Sequence, residues 1–95
     1  MGRGAVPSLL VLIFLAGCSG GATGGAVVEG AGSDDFLRLR AGPGLGYSVI
    51  LGLPDGTSVV RRDCVTELGQ LWCRVSLSAA PQITGYVSAD YLSAP

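Results

Sequence analysis

The chain has 95 residues, of which 48% are hydrophobic and 14% charged, with six arginines, seven acids, no lysine and no histidine. That length allows one small domain, and a formal net charge of −1 excludes the basic patch by which nucleic-acid binders displace counterions. Without histidine there is no Ser–His or Cys–His nucleophile pair, which excludes catalysis of that kind.

The chain begins with a targeting segment. Arg3 supplies a positive start, and residues 9–16 form an unbroken apolar run. A run of this size suits the ~7–15 residues of a secretory core and falls well short of the ~20 needed to cross a bilayer. It is read as a signal peptide. Leu15-Ala16-Gly17-Cys18 then resembles a bacterial lipobox. The resemblance implies cleavage before Cys18, whose thiol carries lipid, and divides the chain into three parts. These are a signal peptide at 1–17, a lipidated cysteine and linker at 18–33, and a folded domain at 34–95. The mature chain has 78 residues, with five arginines against seven acids and a net charge of −2. No basic cluster is present to hold anionic lipid, so membrane attachment rests on Cys18. One acyl chain holds a protein only reversibly, whereas the several chains of the lipoprotein pattern amount to permanent attachment. By the same resemblance, Ser19 after the cysteine favours the outer membrane over the inner one, with the domain facing the periplasm.

Residues 19–33 read SGGATGGAVVEGAGS, with six glycines in fifteen residues and no helical or strand period. A glycine-rich coil of that length spans roughly 20 Å root-mean-square, so a flexible stalk is expected. Ala26-Val27-Val28 is too short a cluster to predict an element. Residues 36–40 alternate apolar and charged side chains and predict a strand with Leu37 and Leu39 inward. Three glycines and a proline make residues 41–46 a wide loop. Residues 47–53 form a second extended segment, and Pro54-Asp55-Gly56 is a tight turn. A third strand follows at 57–65, where the doublets Val59-Val60 and Arg61-Arg62 blur the alternation and predict a bulge. Residues 67–70 form a hairpin turn around Gly69, and 71–77 a fourth strand. A longer loop at 78–83, a fifth strand at 84–88 and a short helical turn at 89–92 complete the chain. Short strands punctuated by glycine and proline predict an all-β domain, a small barrel of about five strands.

The ordered set Arg40, Gly42-Pro43-Gly44, Tyr47, Val49-Ile50, Leu53-Pro54, Gly56, Trp72, Val75, Gly85-Tyr86-Val87 and Tyr91-Leu92 resembles the bacterial SH3 domain, the SH3b group. The resemblance runs from residue 36 to residue 92 and implies an SH3-like barrel. Three places depart from it. Leu51 stands where glycine is usual, and Arg61 where an inward valine is expected. The stretch 76–84, with Pro81, is longer than a tight hairpin and is read as a tolerated surface insertion before it is read as a specificity loop.

With Cys18 assigned to lipid, Cys64 and Cys73 remain as a pair in an oxidising compartment. Counting inward four residues from each reaches Leu68 and Gly69 at the hairpin tip, which sets the two cysteines opposite each other. A structural disulfide is predicted, worth roughly 2.5–3 kcal/mol for a loop of about ten residues. Two thiols without histidine do not complete a zinc site, and the spacing is not that of a redox pair. No metal and no cofactor are expected. The glycines at 42, 44 and 46 lack the strand–turn–helix setting of a phosphate-binding loop. Asp34, Asp35 and Asp55 are read as edge and turn residues.

Aromatic surface remains. With Val75 inward, Trp72 points away from the interior, and Tyr86 points opposite to Val87. Tyr47 follows the wide loop and Tyr91 lies in the final turn. In SH3-type folds that loop and turn border one groove, so Tyr47, Trp72, Tyr86 and Tyr91 are the candidate ligand-binding residues. The alternative is that these rings cover a small core. For Trp72 both readings stay open, and for Tyr91 packing is the stronger. The resemblance implies a non-enzymatic envelope module that binds cell-wall peptide or an envelope protein. The alternative is a structural or accessory lipoprotein docked constitutively into an envelope complex.

Overall fold

The computed structural model describes residues 24–95, so the expected signal peptide, lipobox and lipidated Cys18 lie outside the described residues. Seven strands are present: β1 (Gly24–Val28), β2 (Leu37–Arg40), β3 (Val49–Leu53), β4 (Ser58–Glu67), β5 (Gln70–Leu77), β6 (Thr84–Ser88) and β7 (Leu92–Ser93). A three-residue 3-10 turn, Ala89–Tyr91, separates the last two. All pairings are antiparallel, in one sheet of order β3-β2-β6-β5-β4-β1-β7.

This order corrects the expected five-stranded barrel. The domain is all-β, but its sheet has seven strands and is not closed. The reason lies in β1. A strand has two edges, and β5 takes one edge of β4 while β1 takes the other, through Gly24↔Arg61 to Val27↔Ser58. β7 then adds to β1, so β3 and β7 are left as the two ends of the sheet. Residues 24–28, expected within a flexible stalk, are thus an ordered strand. Ala26 and Val28 point into the core while Val27 stays partly exposed, a period-2 pattern that only non-local pairing stabilises.

One cluster forms the core: Ala26, Val28, Leu37, Leu39, Leu53, Val59, Cys73, Val75 and Val87. Leu37 and Leu39 are inward as their alternation predicts. β6 crosses very close to β2, since a Cβ on Gly85 would lie 2.7 Å from Leu39 Cγ and 2.8 Å from the Arg40 carbonyl oxygen. The bulge expected in β4 falls at Arg62 and Asp63, which together oppose Arg74. The one buried polar side chain among the described residues, Ser76, accepts a hydrogen bond from Arg62 Nε at 3.1 Å.

The β4–β5 hairpin turns through Leu68 (φ 51°) and Gly69 (φ 80°), the two left-handed positions of a type I′ turn. Cys64 and Cys73 stand directly opposite and are joined by a disulfide, with Cα atoms 4.0 Å apart. Asp55 does more than form its turn. Its carboxylate accepts from the backbone N–H groups of Ala31 (2.9 Å) and Gly32 (3.1 Å), holding the β1–β2 connection against the Pro54–Gly56 corner. Residues 78–83 fold back through two short turns and are tied to the start of β4 by Ser78 N–H donating to the Ser58 carbonyl.

Candidate functional site

Arg40, at the end of β2, organises the wide loop from inside. Its Nη1 donates to the carbonyl oxygens of Leu45 (3.2 Å) and Tyr47 (3.1 Å), so one guanidinium satisfies two carbonyls that the loop cannot pair. The Tyr47 ring lies over Gly42, and Ala41 N–H donates to the Ser48 carbonyl at 2.8 Å to close the loop's base. The loop is therefore held in shape while Leu45 stands 77% exposed at its crest.

The 3-10 turn forms the facing wall. Ser88 caps it, its hydroxyl accepting from Asp90 N–H at 3.3 Å and from Gln70 Nε2 at 2.9 Å. Gln70 thereby fastens the hairpin tip to the turn. Tyr91 is held from behind, its carbonyl accepting from Glu29 N–H at 2.8 Å and its ring packing beside Gly30.

Trp72 lies between these walls. It pairs with Ser88 on the face of β5 opposite to Cys73 and Val75, and it is outside the core cluster. Only 6% of it is exposed. Trp72 is thus covered by the walls of a groove and forms its floor. One groove, of about 610 Å³, runs from the wide loop past Trp72 to the hairpin tip and Tyr91, with Glu67 and Asp90 on its rim. A second, of about 240 Å³, continues on the other side of Leu45 and Tyr91 towards Asp35, Phe36 and Arg38. Leu45, Trp72, Ser88 and Tyr91 line both, so the two form one interrupted channel.

Of the aromatic candidates, the structure brings Tyr47, Trp72 and Tyr91 together. Tyr86 is placed apart: it opposes Arg40 on one side and Arg74 on the other, and lines neither groove. Near it, Arg74 pairs with Asp63 at 2.8 Å. A backbone N–H bond, and then the Arg74 guanidinium, hold the Asp63 carboxyl below the usual carboxylate range. The 78–83 loop also contributes nothing to the grooves. The hairpin turn at 67–70 is where it was expected, but its part in the site was not: Glu67, Leu68 and Gln70 line the larger groove. The left-handed pair Leu68-Gly69 marks the tip in the sequence, but nothing local shows which way a bulged hairpin leans.

No cluster of three or more His, Cys, Asp or Glu side chains able to hold a metal occurs among the described residues. The sequence matches the bacterial SH3 domain family over residues 35–93, more than half of the chain. The chain belongs to that family, whose domains are non-catalytic binding modules. Neither a curated protein nor a solved structure matches it.

Proposed function

We propose that this chain is a lipid-tethered module of the bacterial cell envelope whose aromatic groove holds an extended cell-wall peptide. The observation that carries the reading is the convergence of three separate segments on one groove. The wide loop brings Tyr47, β5 brings Trp72, and the terminal turn brings Tyr91. Aromatic side chains offer large contact area at small entropic cost, and a groove of this kind suits an extended peptide. Leu15-Ala16-Gly17-Cys18 supports the tether, and Ser19 supports the outer membrane.

Co-sedimentation with isolated peptidoglycan tests the groove. The full-length chain is expected in the pellet, and Tyr47→Ala is expected to weaken retention, since an anchor side chain typically contributes ~2 kcal/mol or about thirtyfold. Gln82→Ala, on the exposed 78–83 loop, leaves it unchanged. A folded wild type that stays in the supernatant refutes wall binding. Metabolic labelling with a fatty-acid probe tests the tether: the wild type takes up label and Cys18→Ser does not.

A second reading, constitutive docking to an envelope protein, is favoured by the edge of the sheet. Val49, Ile50 and Leu51 of end strand β3 are 49%, 50% and 40% exposed, with no charge between Ser48 and Leu53. Natural edge strands are usually guarded by charge or proline, and a bare apolar edge invites another strand. Under this reading Ile50→Lys abolishes a crosslinked complex and leaves wall retention intact.

A further inference from the structure

We propose that the hairpin-side end of the groove is a subsite for a positively charged group, and that the wall peptide is held there by a free primary amine. This rests on the groove being a peptide site, as argued above. Glu67 and Asp90 approach the larger groove from different elements, the hairpin arm and the terminal turn, and no arginine lines it. The other groove-lining acid, Asp35, is already engaged, accepting from Phe36 N–H and pairing with Arg38. Asp55 and Asp63 are likewise occupied, by backbone N–H groups and by Arg74. Among the described residues, neither the Glu67 nor the Asp90 carboxylate takes part in an ion pair or accepts a hydrogen bond from the protein. Two unspent carboxylates therefore flank a channel that also carries the exposed rings of Tyr47 and Tyr91. Carboxylates supply acceptors for an ammonium, and aromatic faces attract the same charge through their quadrupoles. A carboxylate-bearing ligand end is repelled there, and a neutral one lacks the ionic attraction.

Arg38 and Arg40 line the smaller groove and no arginine lines the larger one, so the channel is polarised, with its acidic end at the hairpin. An extended peptide would therefore enter in one direction only, amine towards Glu67 and Asp90.

The test uses the full-length chain in mild detergent and isolated Gram-negative peptidoglycan, before and after its free amines are acetylated. The wild type should be retained at least about fivefold more tightly on native than on acetylated material, the size expected of an exposed charge contact with cation–π support. The E67Q/D90N variant should bind both materials equally, at the lower level. E29Q/D34N removes the same net charge from exposed positions outside the groove and should behave as wild type. Equal retention of the wild type on both materials overturns the cation subsite while leaving wall binding in place. So does an E67Q/D90N variant that still discriminates. Failure of the wild type to bind either material overturns the peptide-groove reading itself. The acetylation comparison needs no variant, so a poorly folding substitution does not blunt it.

Discussion

The Tyr47 ring occupies the space that a side chain on residue 42 would need: a Cβ built on Gly42 would lie 2.4–2.7 Å from three of its carbons. Such contacts are not relieved by small shifts, because the ring is flanked by a loop that Arg40 holds in place. Gly42 therefore sets the position of a groove residue without touching the groove itself. Gly42→Ala should expel the ring, lower stability by about 1 kcal/mol and weaken peptidoglycan retention to the level of Tyr47→Ala. Gly25→Ala, whose Cβ would meet only Pro95 Cγ at 3.5 Å and which lines neither groove, should change neither. Urea midpoints and co-sedimentation of the two variants check the contrast.

Val28 gives a test of the strand that the stalk conceals. It is 1% exposed and packs in the main cluster although it lies outside the residues matched to the family. Val28→Ala should cost about 2 kcal/mol, from two lost methyl groups and the cavity they leave. A domain of this size should then melt roughly 10 °C lower. A melting temperature equal to wild type would show that β1 is dispensable.

The disulfide prediction concerns the hairpin that carries Trp72 and the groove rim. Intact mass after alkylation without reduction should show no free thiol at Cys64 or Cys73, which are bonded in the structure. Reduction should destabilise the domain by roughly 2.5–3 kcal/mol in the chain-entropy model. Thermal melts with and without reductant measure it, and two alkylated cysteines in protein made in an oxidising compartment would contradict the pairing.

Leu68 offers a trade between stability and binding. It holds a left-handed φ of 51°, is fully exposed and lines the larger groove. A leucine in that conformation costs about 1 kcal/mol, whereas asparagine adopts it readily before glycine. Leu68→Asn is expected to raise the melting temperature and weaken wall retention. Higher stability with undiminished retention would remove Leu68 from the site.

Asp63 provides the pH dependence. Its carboxyl pKa is lowered in the folded protein by a backbone N–H and by Arg74. A group depressed in this way stabilises the fold above its unfolded pKa of about 3.9, and the contribution is lost as pH falls through the folded value. The carboxylate is exposed, so the effect is small. Between about pH 5 and about pH 2, the melting temperature of Asp63→Asn should fall slightly less steeply than that of wild type. Parallel curves would show that neither the backbone bond nor the Arg74 contact adds stability through this charge.

The strands from β2 to β6 were legible because each carries its own signal. Leu37 and Leu39 alternate with arginines, Leu68-Gly69 marks the hairpin tip, and Pro54-Asp55-Gly56 marks a turn. The bulge was legible in kind, from the valine and arginine doublets, and it falls at Arg62 and Asp63. β1 was not legible, since three of its five residues are glycine or alanine and the strand state of its two valines comes from β4 and β7 across the sheet. Its addition to β4 is also why the sheet is open. At the groove, the aromatic positions could be picked out by alternation and by their place in the loop and turn. The roles of Gln70, Glu67 and Asp90 depend on how the hairpin leans against Ser88, which is a tertiary property.

The same strand changes the leash. A tether that ran free from Cys18 to residue 33 would have a contour of about 50 Å, but with Gly24 already in the sheet only six residue steps separate it from Cys18, at most about 20 Å. The volume swept by a domain on a lipid anchor scales with the cube of that length and contracts by more than tenfold. With Cys18 acylated and the groove a peptide site, both as proposed, the module would work as a short-range clamp at the membrane surface, its effective concentration for ligands beside the leaflet raised accordingly, and peptides farther away would lie beyond its grasp.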